Sequence, residues 1–269
     1  MLPAEPQSVP DVGVSVAEPD ARQASSLRRA NAGAAVLHAV QAVAVLALAT
    51  DFALPVTASY MAGPPGTPPL DPVVLFDIPT GFAVAGFLAL SALAHLLVCT
   101  AWWQRYVADL GRQRNPARWV EYSLSSSLMI VLIAQLVGIS DVAALVALFG
   151  VNAAMILFGW LQERYERPGS GGWLPFGFGC VAGVVPWLAI TIYLLSPGST
   201  SSASPPGFVY GIFVSLFVFF NVFALNQWLQ YRAMGRWQNY LFGEKVYIVL
   251  SLTAKSALAW QIFAGTLAA

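Results

Sequence analysis

The sequence contains few charged residues and few cysteines, and these two shortages exclude several classes of protein. Only 10% of its 269 residues are Asp, Glu, Lys or Arg, whereas 58% are hydrophobic, which is not the composition of a soluble protein. Cys99 and Cys180 both lie in apolar stretches, where buried packing residues are expected rather than a disulfide or a metal site. The composition therefore indicates a membrane protein without a metal or redox signature.

Seven apolar stretches are long enough to cross a bilayer as helices. A helix needs roughly 20 residues to span about 30 Å of hydrocarbon. The stretches that meet this length are 30–50, 80–103, 119–137, 142–161, 173–195, 207–229 and 246–268. We therefore predict an all-α bundle of seven transmembrane helices over residues 30–269. Residues 1–29 are rich in Pro, Ser, Ala and carboxylates and lack the pattern of a signal peptide, so we predict a disordered cytoplasmic tail.

The positive charges are distributed unevenly along this path. Twelve of the thirteen Lys and Arg residues fall before the first span or in the connections after the second, fourth and sixth spans. By the positive-inside rule, the N-terminus is predicted to be cytoplasmic and the C-terminus extracellular, with the protein in the cell membrane. The twelve are Arg22, Arg28, Arg29, Arg105, Arg112, Arg114, Arg118, Arg164, Arg167, Arg232, Arg236 and Lys245.

The connection at 51–79 is long and carries seven prolines, which exclude a helix there. Within it, VVLF (73–76) predicts one short strand. We interpret an extracellular loop of this length either as a small cap or as an oligomer contact.

One lysine and one glutamate differ from the other charges because they lie within predicted spans. Lys255 is the cation outside the basic connections, and Glu121 is the one acid expected inside, since Asp51 and Asp141 lie at helix ends. An ionised group in the membrane needs a partner, so we predict that the two form a buried pair. With a rise of about 1.5 Å per residue, both are expected in the cytoplasmic half of the bundle.

Several polar residues accompany this pair. Ser125 follows Glu121 by one helical turn and Ser251 precedes Lys255 by one turn, so each hydroxyl shares a face with its charged neighbour. The alternative is purely structural: interhelical hydrogen bonds for the polar residues, a structural salt bridge for the pair, and lipid contact for the aromatic residues of the sixth span. The other polar residues within the spans include His38, Gln41, His95, Asn152 and Asn221.

The pair also suits a particular chemistry. A lysine amine condenses with an aldehyde to give a Schiff base, and once protonated this imine is a buried cation for which Glu121 would be the counterion. A central lysine in the seventh helix resembles the microbial rhodopsins, and RWVE (118–121) is similar to their arginine-to-counterion turn. More specifically, the inverted orientation and two segments resemble heliorhodopsin: ARWVEYSLSSSLMIVLIAQLVGI (117–139) and GEKVYIVLSLTAKSALAWQIFAGTL (243–267).

This resemblance implies all-trans retinal bound to Lys255, with Glu121 as counterion and the long extracellular loop at a dimer contact. From this resemblance and from the polar and aromatic residues within the spans, we assign further residues to two groups. Those assigned to the retinal site are Ser125, Ser251, Met129, Asn152, Trp187, Phe220 and Phe223. Those assigned to a polar cavity on the cytoplasmic side are His38, His95, Gln41 and Arg118.

We therefore predict a light-sensing photoreceptor, not an enzyme, that signals to an unknown cytoplasmic partner, pumps no ions and binds no nucleic acid. The alternative is a light-driven proton pump or a channel. A pump needs further proton stations, but Met129 carries no proton and one internal acid provides no relay. A different class, a transporter or membrane enzyme without a chromophore, would use Lys255 only electrostatically.

Overall fold

The computed structural model describes residues 19–196, 199 and 204–267. In chain order its elements are α1 (Ala21–Leu48), β1 (Ala53–Ala58), β2 (Val73–Pro79), α2 (Thr80–Cys99), α3 (Trp103–Gly111), α4 (Pro116–Leu136), α5 (Val142–Tyr165), α6 (Leu174–Leu195), α7 (Gly207–Tyr231), a 3₁₀ turn (Gly235–Gln238) and α8 (Tyr240–Leu267). All the helices except the short α3 are long and apolar enough to cross a membrane, which makes seven within the described ranges. The predicted seven-helix fold is confirmed.

The first helix begins earlier than its apolar pattern predicts. Asp20 caps α1: its side chain accepts a hydrogen bond from the backbone N–H of Gln23, while the Gln23 side chain accepts one from the backbone N–H of Asp20. Residues 21–29, which we expected in a disordered tail, are therefore helical. Residues 1–18 of that tail lie outside the described residues.

Two other boundaries change what the helices contain. α2 ends at Cys99, and the short helix α3 follows it, which the apolar pattern did not indicate. α8 starts at Tyr240 rather than at 246, so Glu244 is part of a helix instead of a connection.

The alternating helix directions give the bundle two ends. The start of α1 and the connections 100–115, 166–173 and 232–239 lie at what we call the basic end, because these segments carry most of the arginines. The connections 49–79 and 137–141 lie at the opposite end, which we call the hairpin end.

An antiparallel β-hairpin fills the long connection between α1 and α2. Ala53 pairs with Pro79 and Ala58 with Val73, so the strand predicted at 73–76 is part of β2, whereas β1 was not predicted. Thr57 in β1 also reaches the connection between α4 and α5. Its N–H donates to the carbonyl of Ser140 at 2.8 Å, and the two hydroxyls lie 3.0 Å apart. These hydrogen bonds join the two connections at the hairpin end.

The helices pack around an apolar core that includes Phe87, Ile130, Ile212 and Leu258. α1 contacts α2 and α8, α4 contacts α2 and α5, α5 contacts α6, and α7 contacts α8. The outer surface carries many exposed large apolar side chains, as expected where lipid replaces water. Polar side chains that are buried inside the bundle therefore require partners within it.

Candidate functional site

Lys255 and Glu121 form an ion pair in the interior. The side chain of Lys255 is on α8, and its Nζ donates to Glu121 Oε1 on α4 at 2.7 Å. Lys255 is 3% exposed and Glu121 is 6% exposed. The Nζ also donates to the hydroxyl of Ser251, one turn earlier on α8, at 2.9 Å. The predicted contact between the two charges is therefore present, and Ser251 is part of it.

Ser91 on α2 is a member of this site that the sequence analysis missed. Its hydroxyl lies 2.6 Å from Glu121 Oε1 and donates to it, so this oxygen accepts from both Ser91 and Lys255. The signal was available, because Ser91 lies one helical turn before His95 and so shares its face of α2. By contrast, the buried hydroxyl of Ser125 has no hydrogen-bonding partner among the described residues.

The two histidines lie beside the ion pair and against each other. Their rings stack with centroids 5.8 Å apart, and His38 is completely buried. His95 Nδ1 lies 2.8 Å from the side-chain oxygen of Asn31, whereas His95 Nε2 and both ring nitrogens of His38 have no partner among the described residues. Asn31 also contacts the hydroxyl of Tyr106 at 3.5 Å, and burial raises the pKa of this tyrosine above its usual value.

Two residues assigned to the same polar cavity are placed differently. The assignment of Gln41 to that cavity is wrong. Its side-chain oxygen accepts from the indole N–H of Trp260 at 3.1 Å on the outer face of α1 and α8. Arg118 does line a small cavity of about 30 Å³ with His95 and Glu121, but its guanidinium is bound elsewhere.

That guanidinium belongs to a second buried group of charges, which we call the ion cluster: Arg118, Glu163 and Glu244. Arg118 Nη2 lies 2.7 Å from Glu163 Oε1, and Nη1 contacts Glu244 Oε1. Glu163 is 5% exposed and Glu244 is 1% exposed, so the prediction that Glu121 is the one internal acid is wrong. Both acids sit where α5 and α8 continue past their apolar stretches toward the basic end.

Neutral donors complete the ion cluster. Glu163 accepts from the backbone N–H of Asn115 at 2.8 Å, the indole N–H of Trp119 at 2.6 Å and the hydroxyl of Tyr240 at 2.8 Å. Glu244 accepts from the side-chain amide of Asn115 at 2.7 Å. The cluster thereby joins α4, α5 and α8 at the basic end.

A cavity of about 460 Å³ lies beside Lys255, between α4, α5, α6, α7 and α8. Seven of the residues assigned to the retinal site line it: Ser125, Met129, Trp187, Phe220, Phe223, Ser251 and Lys255. Trp187 packs edge-on against Phe220 with ring centroids 5.4 Å apart, and Tyr122 is a further wall residue that the sequence analysis did not assign. Asn152 does not line the cavity. Its amide donates to the hydroxyls of Ser126 and Ser127 at 2.9 and 3.0 Å, so it makes the interhelical hydrogen bonds that were the structural alternative for the polar residues.

The cavity fits an apolar molecule that is attached through an amine. Its volume falls in the range of about 300–1,000 Å³ that is typical of small-molecule sites. The walls are mostly apolar and aromatic, and the amine of Lys255 and the unpartnered hydroxyl of Ser125 are among the few polar groups. An amine that is buried against a carboxylate and open to an apolar cavity suits an aldehyde ligand with a long hydrocarbon body.

Comparison with known families decides which ligand this is. The family model of heliorhodopsin matches residues 27–267. The chain belongs to the heliorhodopsin family. No match is found among curated proteins. As a heliorhodopsin, the chain is a multi-pass membrane protein and a retinal-binding photoreceptor of the rhodopsin type, and the cavity next to Lys255 fits that chromophore.

Proposed function

We propose that Lys255 is the attachment site of all-trans retinal, that Glu121 is its counterion, and that the protein is a light sensor that pumps no ions. The observation that carries this proposal is the 2.7 Å contact between Lys255 Nζ and Glu121 Oε1 next to an apolar cavity. Retinal, when bound, supplies a conjugated aldehyde that condenses with an amine and isomerises on absorbing light. Lys255 is the one primary amine that lines this cavity in the described part of the chain.

The neighbouring side chains have separate roles in this proposal. Glu121 holds a positive charge and its proton on the Lys255 nitrogen by electrostatic attraction. Ser91 donates to Glu121 Oε1 and so keeps the carboxylate in place, while Ser251 accepts from the Lys255 nitrogen. Met129, Trp187, Phe220 and Phe223 would exclude water from the hydrocarbon body and restrict its shape.

The absence of pumping rests on the distribution of ionisable groups. A pump must release a proton on one side of Lys255 and recover it from the other, which needs stations on both sides. Glu163 and Glu244 add two buried acids to Glu121 and the histidines, and this favours the pump alternative more than the sequence did. However, the three acids all lie in the halves of α4, α5 and α8 that are nearer the basic end. Beyond Lys255 toward the hairpin end, the described parts of α4 and α8 contain no acid, lysine, arginine or histidine.

The orientation and the partners are part of the same proposal. We place the basic end in the cytoplasm, because the positive-inside rule favours arginine-rich connections there, and the protein in the cell membrane. A cytoplasmic partner would then bind at the basic end. In this proposal the protein is not itself an enzyme. We assign a homodimer contact to the hairpin, since Val73, Val74, Leu75 and Phe76 of β2 are exposed there.

Illumination of cells that express the protein tests the transport part. We expect no sustained change of external pH and no steady photocurrent, with cells expressing Lys255→Ala as the dark-equivalent control. A pH shift that persists in light and collapses with a protonophore would establish a pump. A current that follows the membrane potential and reverses with it would establish a channel.

A further inference from the structure

The ion cluster is a buried charged group that the proposed retinal chemistry does not use. One guanidinium faces two carboxylates, so the formal charges of Arg118, Glu163 and Glu244 do not balance within the cluster. Such a group is sensitive to small displacements, because each buried charge depends on a few short contacts in a medium that solvates it poorly. A change in the surroundings of Arg118 therefore alters both carboxylate contacts together.

A continuous path of aromatic contacts joins this cluster to Lys255. The ring of Tyr122 has its centroid 5.1 Å from Lys255 Nζ. The hydroxyl of Tyr122 donates to the backbone carbonyl of Tyr247 at 2.9 Å, and the ring of Tyr247 has its centroid 3.9 Å from the Arg118 guanidinium carbon. A cation thus lies against an aromatic ring at each end of the tyrosine pair.

A third aromatic ring packs against both tyrosines. Phe223 stacks against Tyr247 with centroids 6.2 Å apart and meets Tyr122 edge-on at 5.4 Å, which closes the aromatic group from α7. Tyr247 is 1% exposed. Tyr122 and Tyr247 also meet directly, with ring centroids 6.4 Å apart and the hydrogen bond between them, so they are expected to move together although one side of each ring faces the cavity.

We propose that Tyr122 and Tyr247 couple the charge at Lys255 to the ion cluster, and through it to the surface of the basic end. The proposal rests on the proposed function, since it takes light to change the charge or position of the Lys255 nitrogen. When that cation moves away from Tyr122, the attraction that holds the ring in place is lost. Tyr122 then shifts against α8 at Tyr247, and Tyr247 shifts against Arg118.

The ion cluster has direct connections to two surface segments. Asn115, which binds both carboxylates, is the last residue of the connection between α3 and α4. Tyr240, which binds Glu163, directly follows the connection 232–239 between α7 and α8. A displaced Arg118 therefore changes the anchoring of two neighbouring segments at the basic end, which is where a partner would detect it.

Light-dependent labelling of the basic end tests the coupling. A single reporter cysteine, Gln238→Cys, is introduced into a Cys180→Ser background, with Thr67→Cys at the hairpin end as the reference position. We expect illumination to change the maleimide labelling rate at 238 and not at 67, with the change expressed per amount of pigment formed. Tyr247→Leu should abolish the light-dependent change. Phe87→Leu, an equally buried aromatic truncation away from the path, should retain it.

Two outcomes of this experiment would overturn the proposal. If Tyr247→Leu retains the full light-dependent change per pigment, the path does not carry the coupling. If the parent protein forms pigment but its labelling rate at 238 does not change in light, the structural change at Lys255 is not transmitted to this segment of the basic end. Failure of the proposed function itself would be separate, because pigment would then survive in Lys255→Ala.

A second measurement needs no retinal. In the retinal-free protein, Tyr122→Phe removes the hydrogen bond to the Tyr247 carbonyl, and Arg118→Lys removes the planar group from the Tyr247 ring. If the contacts act as one path, the two shifts in melting temperature are not additive in the double variant. Tyr165→Phe, at an exposed position, combined with Arg118→Lys should be additive. Additive shifts for the first pair would show that the contacts are independent and would overturn the coupling.

Discussion

Two buried groups of charges in the described part of the bundle differ in what surrounds them. In the ion cluster, both oxygens of Glu163 and both oxygens of Glu244 accept hydrogen bonds from Arg118, Asn115, Trp119 or Tyr240. At Lys255, both hydrogen bonds to Glu121 converge on one oxygen, and a cavity of about 460 Å³ adjoins the amine. Carboxylates with both oxygens bonded, beside a cavity of only about 30 Å³, are suited to holding helices together, whereas an amine beside a large cavity is suited to taking a ligand.

The largest expected effect comes from removing the amine. Lys255→Ala should abolish the visible band obtained on adding retinal, and Lys245→Ala, the matched change at the other lysine of α8, should keep it. The variant also leaves Glu121 buried without its cation, which costs about 3–5 kcal/mol of unfolding free energy. Absorbance spectra and thermal unfolding in detergent measure both effects, and a visible band in Lys255→Ala would refute the attachment site.

Removing the cation from the ion cluster should affect stability most directly. Arg118→Leu leaves two buried carboxylates without a counter-charge, so we expect a loss of about 3–5 kcal/mol in unfolding free energy even without retinal. Arg105→Leu is the control, because Arg105 is 83% exposed and its contact with Asp109 is a surface ion pair. Equal stability of Arg118→Leu and the parent would mean that the cluster does not hold the helices together.

Neutralising the counterion should change colour rather than remove it. Glu121→Gln removes the anion that localises the positive charge at the Lys255 nitrogen, so the visible band of the protonated form should shift to the red. The same loss disfavours the protonated form, so the visible band should disappear at lower pH during an alkaline titration than in the parent. Glu166→Gln at the basic end serves as control. An unchanged spectrum and an unchanged titration would assign the counterion elsewhere.

The smallest effect is expected at Ser91. Ser91→Ala removes one hydrogen bond to the Glu121 carboxylate, and a bond to a charged group contributes about 1.5–3 kcal/mol. Ser123→Ala is the matched control, since that hydroxyl donates only to the Val120 carbonyl of its own helix. We expect the unfolding free energy of Ser91→Ala to be lower than that of Ser123→Ala by about this amount. Equal values would indicate that Ser91 does not support the counterion.

The seven helices and the central ion pair could be predicted because each depends on a local signal. Apolar length identifies a span wherever lipid is the surrounding solvent. Lys255 and Glu121 were identified as partners since a charge within an apolar run requires one. The same reasoning failed for Glu163 and Glu244, which sit among charged neighbours in QERYER and GEKV and so resemble connection residues. Their burial depends on helices that continue past the apolar stretch and on the distant Arg118.

Other errors have similar physical causes. β1 was not predicted, since Pro55 weakens its strand pattern, yet a two-stranded hairpin consists of edge strands, which tolerate proline. Gln41 was assigned to the polar cavity because it lies one helical turn after His38, but its contact with Trp260 depends on which face of α1 meets α8. Ser91 was overlooked because its one signal in the sequence, the one-turn spacing to His95, does not reveal the contact with Glu121 across the bundle.

The hydrogen bonds between Thr57 and Ser140 have a mechanical consequence. They fasten the hairpin, which links α1 to α2, to the turn between α4 and α5, so two helix pairs are clamped at the same end. Helix pairs that are joined at one end can separate most at the opposite end. We therefore expect any light-driven tilt of these pairs to pivot about the hairpin and to have its greatest amplitude among the arginine-rich connections.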